Sequence, residues 1–562
     1  MPQTLFSHFD PRTERRGLKR PVVATVLGCL ALAAAAPVAP MARADAPAYI
    51  WIEAEKPDRA PKFAADQRAP DDPGYRFTAW GDTSIVSGEL LSINFSAEEA
   101  PKRIPAGGAV FGYDFRVAEP GRYEVWKRVG FEWIRAAFDW RIDQQEWRTA
   151  TAEQPTEDVQ LLQAWNELAW LKLGEVELGA GPHTIEIRHR PQTKRDPKTG
   201  QEQPERTLFY SDCMVLSRGR FRPNGRHKPD ADYRTEDDRR AAETVYKVGV
   251  SDSPAERCAT PLSGLWEIAR WDENAVSPET RLAPPEALPD FGQLWWYGIA
   301  APGDRNALRP DLAYSHRYIY RTRLEVPAEA AGRSVILEFQ NFNMIAAVFV
   351  NGRRCGWSKA HSTEWSCDVT AAVRPGAINE LAVVFKDVYY AIDERERPLG
   401  CRYYWNLPHD WLHNQGVSMK FDMPVAWDTR TGILEPVSVI VAGAVYTSDV
   451  FAKPSLRRRE LSLEITVNNP TGAPRDVTID NQIVPWSRDA AGELRVEKRF
   501  ASKTVTVAAG AAETIELVEP WADARLWWPD DPQLYDVVTT LSVGGKPVDV
   551  RRTRFGFREW EW

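Results

Sequence analysis

Two kinds of side chain in this sequence have types and spacings that could do chemistry: flat aromatic rings and closely spaced carboxylates. Tryptophan occurs 23 times in 562 residues, and aromatic residues make up 11%. An indole ring can fill a core, or it can lie against the apolar face of a ligand and offer its N–H, so placement decides between the two. By abundance alone, core is the default. The densest aromatic group runs from Asp387 to Arg430 and holds Tyr389, Tyr390, Tyr403, Tyr404, Trp405, Trp411 and Trp427. Loops above ~15 residues tend to be functional or disordered, and this one is too aromatic for disorder. It is expected to pack against a partner domain or a ligand. Glu53 and Glu55 project from one side of a strand, which suits the wet face of a sheet edge. His409 and Asp410 are adjacent, and adjacency on an extended chain points side chains apart, so they do not make the base and orienting acid of a triad. The sequence has no C-x-x-C, H-E-x-x-H or G-x-S-x-G, which argues against a zinc site and against an esterase.

The elements that must position these residues are strands. In Tyr318 to Val326, Tyr320, Thr322, Leu324 and Val326 share one face while Arg321, Arg323 and Glu325 share the other, and Pro327 stops the ladder. Val335 to Phe339 alternates in the same way. Ile345 to Val350 is almost wholly apolar, as in a strand covered on both faces, and ends in Asn351-Gly352, the favoured two-residue hairpin turn. Asn379 to Phe385 places Leu381, Val383 and Phe385 together. Earlier, Tyr49 to Glu55, Gly121 to Val129, Phe138 to Asp143, Gly179 to Ile187 and Tyr210 to Leu216 read as strands of another sandwich. Later, Leu461 to Val467, Val477 to Val484, Thr504 to Val507, Glu513 to Leu517 and Tyr535 to Leu541 are short strands between turns, as in an immunoglobulin-like sandwich. The fold class is all-β, with three consecutive β-sandwiches. A prior of about 150 residues per domain gives three or four domains. The boundaries expected are 45–218, a polar linker at 219–257 with one short helical turn near Arg239 to Glu243 and solvated charges, 258–442, and 443–559.

Residues 1–44 read as an export signal, with Arg15, Arg16, Lys19 and Arg20, an apolar run from Val22 to Ala36, and Ala42-Arg43-Ala44 as the cleavage site. Arg15-Arg16 has a twin-arginine look, and Val26-Leu27-Gly28-Cys29 loosely matches a lipoprotein box. No stretch reaches the ~20 apolar residues of a membrane span, so an extracytoplasmic protein is expected. The signal carries six Lys/Arg and two Asp/Glu, so its loss takes the net charge from -8 to -12. That balance disfavours nucleic acid as a partner. Five cysteines remain beyond the signal: Cys213, Cys258, Cys355, Cys367 and Cys401. An odd number does not make a disulfide-stapled scaffold, and Cys355 with Cys367 is the first pair to test.

Several motifs are similar to those of a known family. Pro261-Leu262-Ser263-Gly264-Leu265-Trp266, the strands from Tyr318 to Phe385, and Gly432-Ile433-Leu434-Glu435-Pro436-Val437 resemble the sugar-binding jelly roll of glycoside hydrolase family 2, the β-galactosidases, β-glucuronidases and β-mannosidases. Leu526 to Tyr535 and Arg554 to Glu559 match the end of that family's immunoglobulin-like domain nearly letter for letter. The Pro408-His409-Asp410-Trp411 tetrapeptide also occurs in the family, earlier in the jelly roll than here. The opening Glu53-Ala54-Glu55, the Gly121 strand, Ala180 to Ile187 and Asp212 resemble carbohydrate-binding modules of the family 6 and family 35 type. That resemblance implies a structural calcium held by Glu53, Glu55 and Asp212, since the ion favours oxygen-rich carboxylate clusters. It also implies sugar contacts from loop aromatics, with Trp80, Trp133, Trp165 and Trp170 as candidates; Trp126 and Trp140 sit inside alternating strands as core. In the aromatic loop, Tyr404, Trp405 and Trp411 are the candidates for carbohydrate contact.

The family's retaining mechanism uses two glutamates about 5 Å apart on an α/β barrel, which would begin after Glu559. A barrel needs roughly 250 residues, and residues 560–562 are only its approach. Asn166-Glu167 and Asn379-Glu380 mimic the acid/base dipeptide, but the second begins a jelly-roll strand and the first sits in the N-terminal binding module, so both are assigned to structure. No catalytic residue is therefore expected in this chain. The resemblance implies a carbohydrate-binding accessory portion of a family 2-like glycosidase. The alternatives are an active enzyme whose barrel is on a separate or missing chain, and a stand-alone lectin-like protein.

Overall fold

Alternation of apolar and polar side chains becomes three pairs of facing sheets. The computed structural model describes residues 48–559 except 66–70, 79–82, 131–135, 152–153, 155, 164–165, 197, 272–282, 313, 360–362, 388–429 and 487–494. The export signal expected at 1–44, Cys401, and the residues at 560–562 lie outside the described residues. Among the described residues the protein is all-β, and no helix is long and apolar enough to cross a membrane.

In the N-terminal sandwich the larger sheet runs Arg76–Thr78, Leu90–Phe95, Thr207–Ser217, Gly121–Gly130, Asn166–Leu178, Thr156–Gln163, with Tyr49–Glu53 also pairing on Thr207–Ser217. The smaller sheet runs Ala109–Val117, Gly181–His189, Phe138–Ile142, Arg148–Ala150. Phe111, Tyr113, Trp140, Val125, Ile187 and Phe209 fill the space between them. The opposite face of the larger sheet carries a second cluster of Trp126, Trp170, Cys213 and Val215, closed by Phe221.

In the central sandwich, Arg317–Val326 and Ala377–Lys386 pair antiparallel along their full lengths at the middle of a sheet that also holds Trp296–Ala301, Gly264–Arg270, Ile345–Val350 and Arg353–Ser358. Tyr320, Thr322, Leu324 and Val326 are buried, as the alternation requires, and every residue of Ile345–Val350 is buried. Asn351 (φ 50) and Gly352 (φ 78) both take the left-handed backbone that a type I′ hairpin turn demands. Cys258–Pro261, Val437–Ala442, Ser334–Phe339 and Trp365–Asp368 form the facing sheet. Asn379 is wholly buried and ties Asn351 and the Arg374 amide, so the second Asn-Glu pair is structural, as expected, and what it supports is the hairpin. Cys355 and Cys367 are free thiols in this structure, as are Cys213 and Cys258.

The C-terminal sandwich packs the sheet Tyr446–Ser455, Glu460–Asn469, Ala511–Pro520 against one holding Arg475–Pro485, Leu534–Val543 and Lys546–Gly556. It is pinned to the central sandwich by Arg257, which donates to Asp549 at 2.8 and 2.6 Å.

The stretch 219–257 is not a solvated tether. Helix Glu236–Glu243, longer than the single turn expected, starts from a capping box in which Thr235 and Asp238 satisfy each other's amides. Asp238 is only 5% exposed, because its Oδ1 also accepts from the Gly298 amide and faces Arg309 at 3.6 Å. Val245–Lys247 then runs parallel to Arg323–Glu325 of the central sheet. The polar composition reflects side chains used to join two sandwiches.

Candidate functional site

A cleft of about 840 Å³ lies where the N-terminal sandwich, the 219–257 stretch and the central sandwich meet. One wall is the outer face of the larger N-terminal sheet. There alternation puts Glu124 and Trp126 on the side away from Tyr123 and Val125. Trp126 donates its Nε1–H to Glu124 at 3.0 Å, and the Phe221 amide (2.9 Å) and Lys172 Nζ (2.6 Å) reach the same carboxylate. Burial opposes ionisation of Glu124, but these donors outweigh it and hold the carboxyl below its ordinary value.

The other wall comes from the ends of two central strands. Trp271 follows Gly264–Arg270, and Arg317 lies 3.9 Å from its ring centroid while donating to its carbonyl at 2.6 Å. Trp295 precedes Trp296–Ala301; Tyr233 meets it edge-on at 5.1 Å, and the Arg222 guanidinium sits 5.3 Å from its ring. Its Nε1–H is buried without a hydrogen-bond acceptor. Across the floor, Arg270 pairs with Asp158, which also accepts from the Gly225 amide. Arg220 stands exposed at the rim. Aromatic rings on two walls, interleaved with fixed donors and acceptors, make a surface for a ligand with apolar faces and many hydroxyls.

The residues expected from sequence fall out differently. Trp170 is not a ligand contact: it is wholly buried, donates Nε1–H to the Gly225 carbonyl at 2.8 Å, and packs edge-on against Phe221 at 4.9 Å. The 219–257 stretch covers a sheet face that a lone sandwich would leave open. Trp80, Trp133, Trp165, Tyr404, Trp405 and Trp411 lie outside the described residues. Trp140 is core at 2% exposure, as expected. Trp126 is buried too, yet it lines the cleft. Trp271 and Trp295 were not singled out by sequence. The signal that could have found Trp295 is its adjacency to Trp296, since neighbouring residues cannot both face one core.

The expected calcium ligands come together only in part. Asp212 has both oxygens committed, Oδ2 to Arg128 at 2.7 Å and Oδ1 to the Ser87 amide at 2.8 Å. Glu53 accepts from the Ser87 hydroxyl at 3.1 and 2.9 Å through its two oxygens. Glu55 keeps one buried oxygen, Oε2, without a partner. Burial is the main cause that holds Glu53 and Glu55 above the usual carboxylate range. Among the described residues no group of three His, Cys, Asp or Glu side chains is arranged to hold a metal ion. With a guanidinium already balancing Asp212, this set does not fit a structural calcium ion. Glu167 of the first Asn-Glu pair is also structural, accepting from the Tyr314 hydroxyl at 2.8 Å.

Comparison with known proteins is consistent with this architecture. Residues 303–435 match the family described as glycosyl hydrolase 2 galactose-binding domain-like, and residues 445–558 match glycosyl hydrolases family 2. A beta-glucuronidase of Formosa agariphila is 21% identical over 291 residues, which are 49% of this chain and 28% of that protein. An exo-beta-D-glucosaminidase of Amycolatopsis orientalis is 27% identical over 261 residues, 44% of this chain and 22% of that protein. The chain thus spans about a quarter of the length of these curated relatives. Among solved structures, a family 2 beta-galacturonidase from Eisenbergiella tayi covers 54% of this chain and 43% of itself, at 20% identity and a TM-score of 0.38.

Proposed function

From the premise that this chain carries two domains of glycosyl hydrolase family 2, we propose that it is an exported, carbohydrate-binding accessory portion of a family 2-like β-glycosidase, and that it takes oligo- or polysaccharide in the cleft between its first two sandwiches. The observation that carries the reading is the aromatic lining of that cleft. Trp271 and Trp295 face it from the central sandwich, and the buried Nε1–H of Trp295 has no acceptor until a hydroxyl oxygen supplies one. Glu124, Arg220 and Gln293 offer hydrogen-bond partners around the rings. No step of glycosidic cleavage is assigned to a described residue.

Binding of purified protein to a glycan array, repeated with Trp295→Ala and Trp271→Ala, tests the reading. The expected result is binding to a defined glycan class that weakens roughly tenfold in each variant, the scale of about 1.4 kcal/mol. No binding to any glycan, or binding untouched by both changes, would overturn it. The length of the relatives supports a second reading, in which the chain is part of an active glycosidase completed by a barrel on another polypeptide. Turnover of nitrophenyl β-galactoside, β-glucuronide or β-mannoside by the purified chain, or after mixing with such a partner, would favour it.

A further inference from the structure

Consecutive residues of the 219–257 stretch face two different spaces. Arg222 and Pro223 line the cleft, whereas Asn224, Gly225, Arg226 and His227 line a second cavity of about 500 Å³. Gln160 of the N-terminal sandwich, Asp237 and Asp238 of the helix, Tyr297 to Ala300 of the central sheet, and Arg309 and Asp311 also line it. The volume suits one or two sugar rings by the usual range for small-ligand sites, about 300–1,000 Å³.

The cavity's polar groups are built rather than incidental. Asn224 is 3% exposed; its Oδ1 accepts from the buried Tyr297 hydroxyl, and its Nδ2 is buried with no partner. An unmet amide donor is costly in a site that leucine could fill, so its presence points to an acceptor brought by a ligand. His227 packs against Tyr233 at 6.1 Å between ring centroids. Burial first, then Arg226, pushes its imidazole below the ordinary value, leaving a neutral ring with one donor and one acceptor near neutral pH. Arg309 lies 4.4 Å from the Tyr297 ring, pairs with Asp311 and faces Asp238, and Arg240 pairs with Asp237 at 3.1 Å, so each of the three lining carboxylates has a guanidinium beside it. Counting Arg226 and Arg309 against Asp237, Asp238 and Asp311, the wall carries a formal charge of 2 − 3 = −1, which disfavours an anion.

We propose that this cavity is a separate site for a neutral sugar residue, a pyranose whose ring or hydroxyl oxygens accept from Asn224 Nδ2 and whose hydroxyls meet His227 and Asp237. It is distinct from the cleft and does not depend on it.

Saturation-transfer NMR and calorimetric titration of the full chain with methyl β-D-glucopyranoside, galactopyranoside and mannopyranoside test this. Asn224→Leu removes the free donor at nearly constant volume. Ala300→Trp, at an exposed position of the cavity wall, blocks the space and leaves Asn224 in place. The expected result is binding of at least one methyl glycoside at millimolar concentration, lost by roughly tenfold or more in both variants and retained in Trp295→Ala. Thermal melts show whether each variant is folded, and Ala300→Trp carries the test if Asn224→Leu is not. The inference is overturned if no glycoside binds, if binding survives Ala300→Trp, if it is lost in Trp295→Ala instead, or if inorganic phosphate binds this cavity in their place.

Discussion

Arg128 and Asp212 face each other at 2.7 Å with both side chains wholly buried, on neighbouring strands of the larger N-terminal sheet. The guanidinium also donates to Gln160 at 2.8 Å and to the Ile85 carbonyl, and the carboxylate also takes the Ser87 amide. Removing one partner strands the other charge in low dielectric, which costs about 3–5 kcal/mol, whereas replacing both with apolar residues of similar size is close to neutral. Arg128→Met and Asp212→Leu should each shift the urea midpoint of the N-terminal sandwich strongly downward, and the double variant should recover most of the loss. A double variant as unstable as the sum of the singles would contradict this account.

Lys127 and His189 set the pH response of the same sandwich. Both are fully buried, and Lys127 has one short bond to the Ser211 hydroxyl. Burial is the main cause that takes the Lys127 ammonium from 10.5 down to about 7 and the His189 imidazole from 6.5 to about 3. Between those values the unfolded chain holds protons that the folded chain has shed. Stability therefore rises with pH from about 7 to 10.5 through Lys127, and falls as pH drops from 6.5 towards 3 through His189. Unfolding midpoints measured across the pH range should show both slopes. Lys127→Met should erase the alkaline slope and keep the acid one.

The Arg257–Asp549 pair couples the central and C-terminal sandwiches. Asp549 is fully buried and also accepts from the Thr447 amide at 2.8 Å. Arg257→Ala leaves that carboxylate without its cation, at a cost of about 3–5 kcal/mol. Calorimetry should show the C-terminal sandwich melting earlier and apart from the rest. A single unchanged transition would show that the pair does not join the two.

Trp170 separates core from ligand contact. Trp170→Phe leaves the Gly225 carbonyl unmet and a gap beside Phe221, which costs about 2–4 kcal/mol. Glycan affinity of the folded fraction should stay within about twofold of the parent. A larger loss of affinity without a change in melting temperature would restore Trp170 as a contact residue.

The strands were legible because their pattern is local. Tyr320, Thr322, Leu324 and Val326 announce one buried face within seven positions, and Asn351-Gly352 announces its turn in two. The cleft and the cavity were not legible, since they depend on partners far apart in the chain. Asn224 meets Tyr297 at a separation of 73 positions, and Trp170 is sealed by Phe221 from another element. The same distance hid the fate of Asp212: a carboxylate before an apolar strand looks identical whether a metal ion or Arg128, 84 positions earlier, balances it. Charge density at 219–257 was a poor guide because a joint between two sandwiches needs polar side chains as much as a tether does.

Val245–Lys247 lies parallel to Arg323–Glu325, and the Val248 amide continues the ladder to the Glu325 carbonyl at 2.9 Å. A recombinant central piece cut where the composition turns from polar to apolar would lose this strand. Backbone donors and acceptors beside Arg323 and Glu325 would then be open, and an open flat edge recruits strands from other molecules. Whoever dissects this protein should carry the cut back to Ser217, or expect inclusion bodies from a fragment whose own sequence is sound.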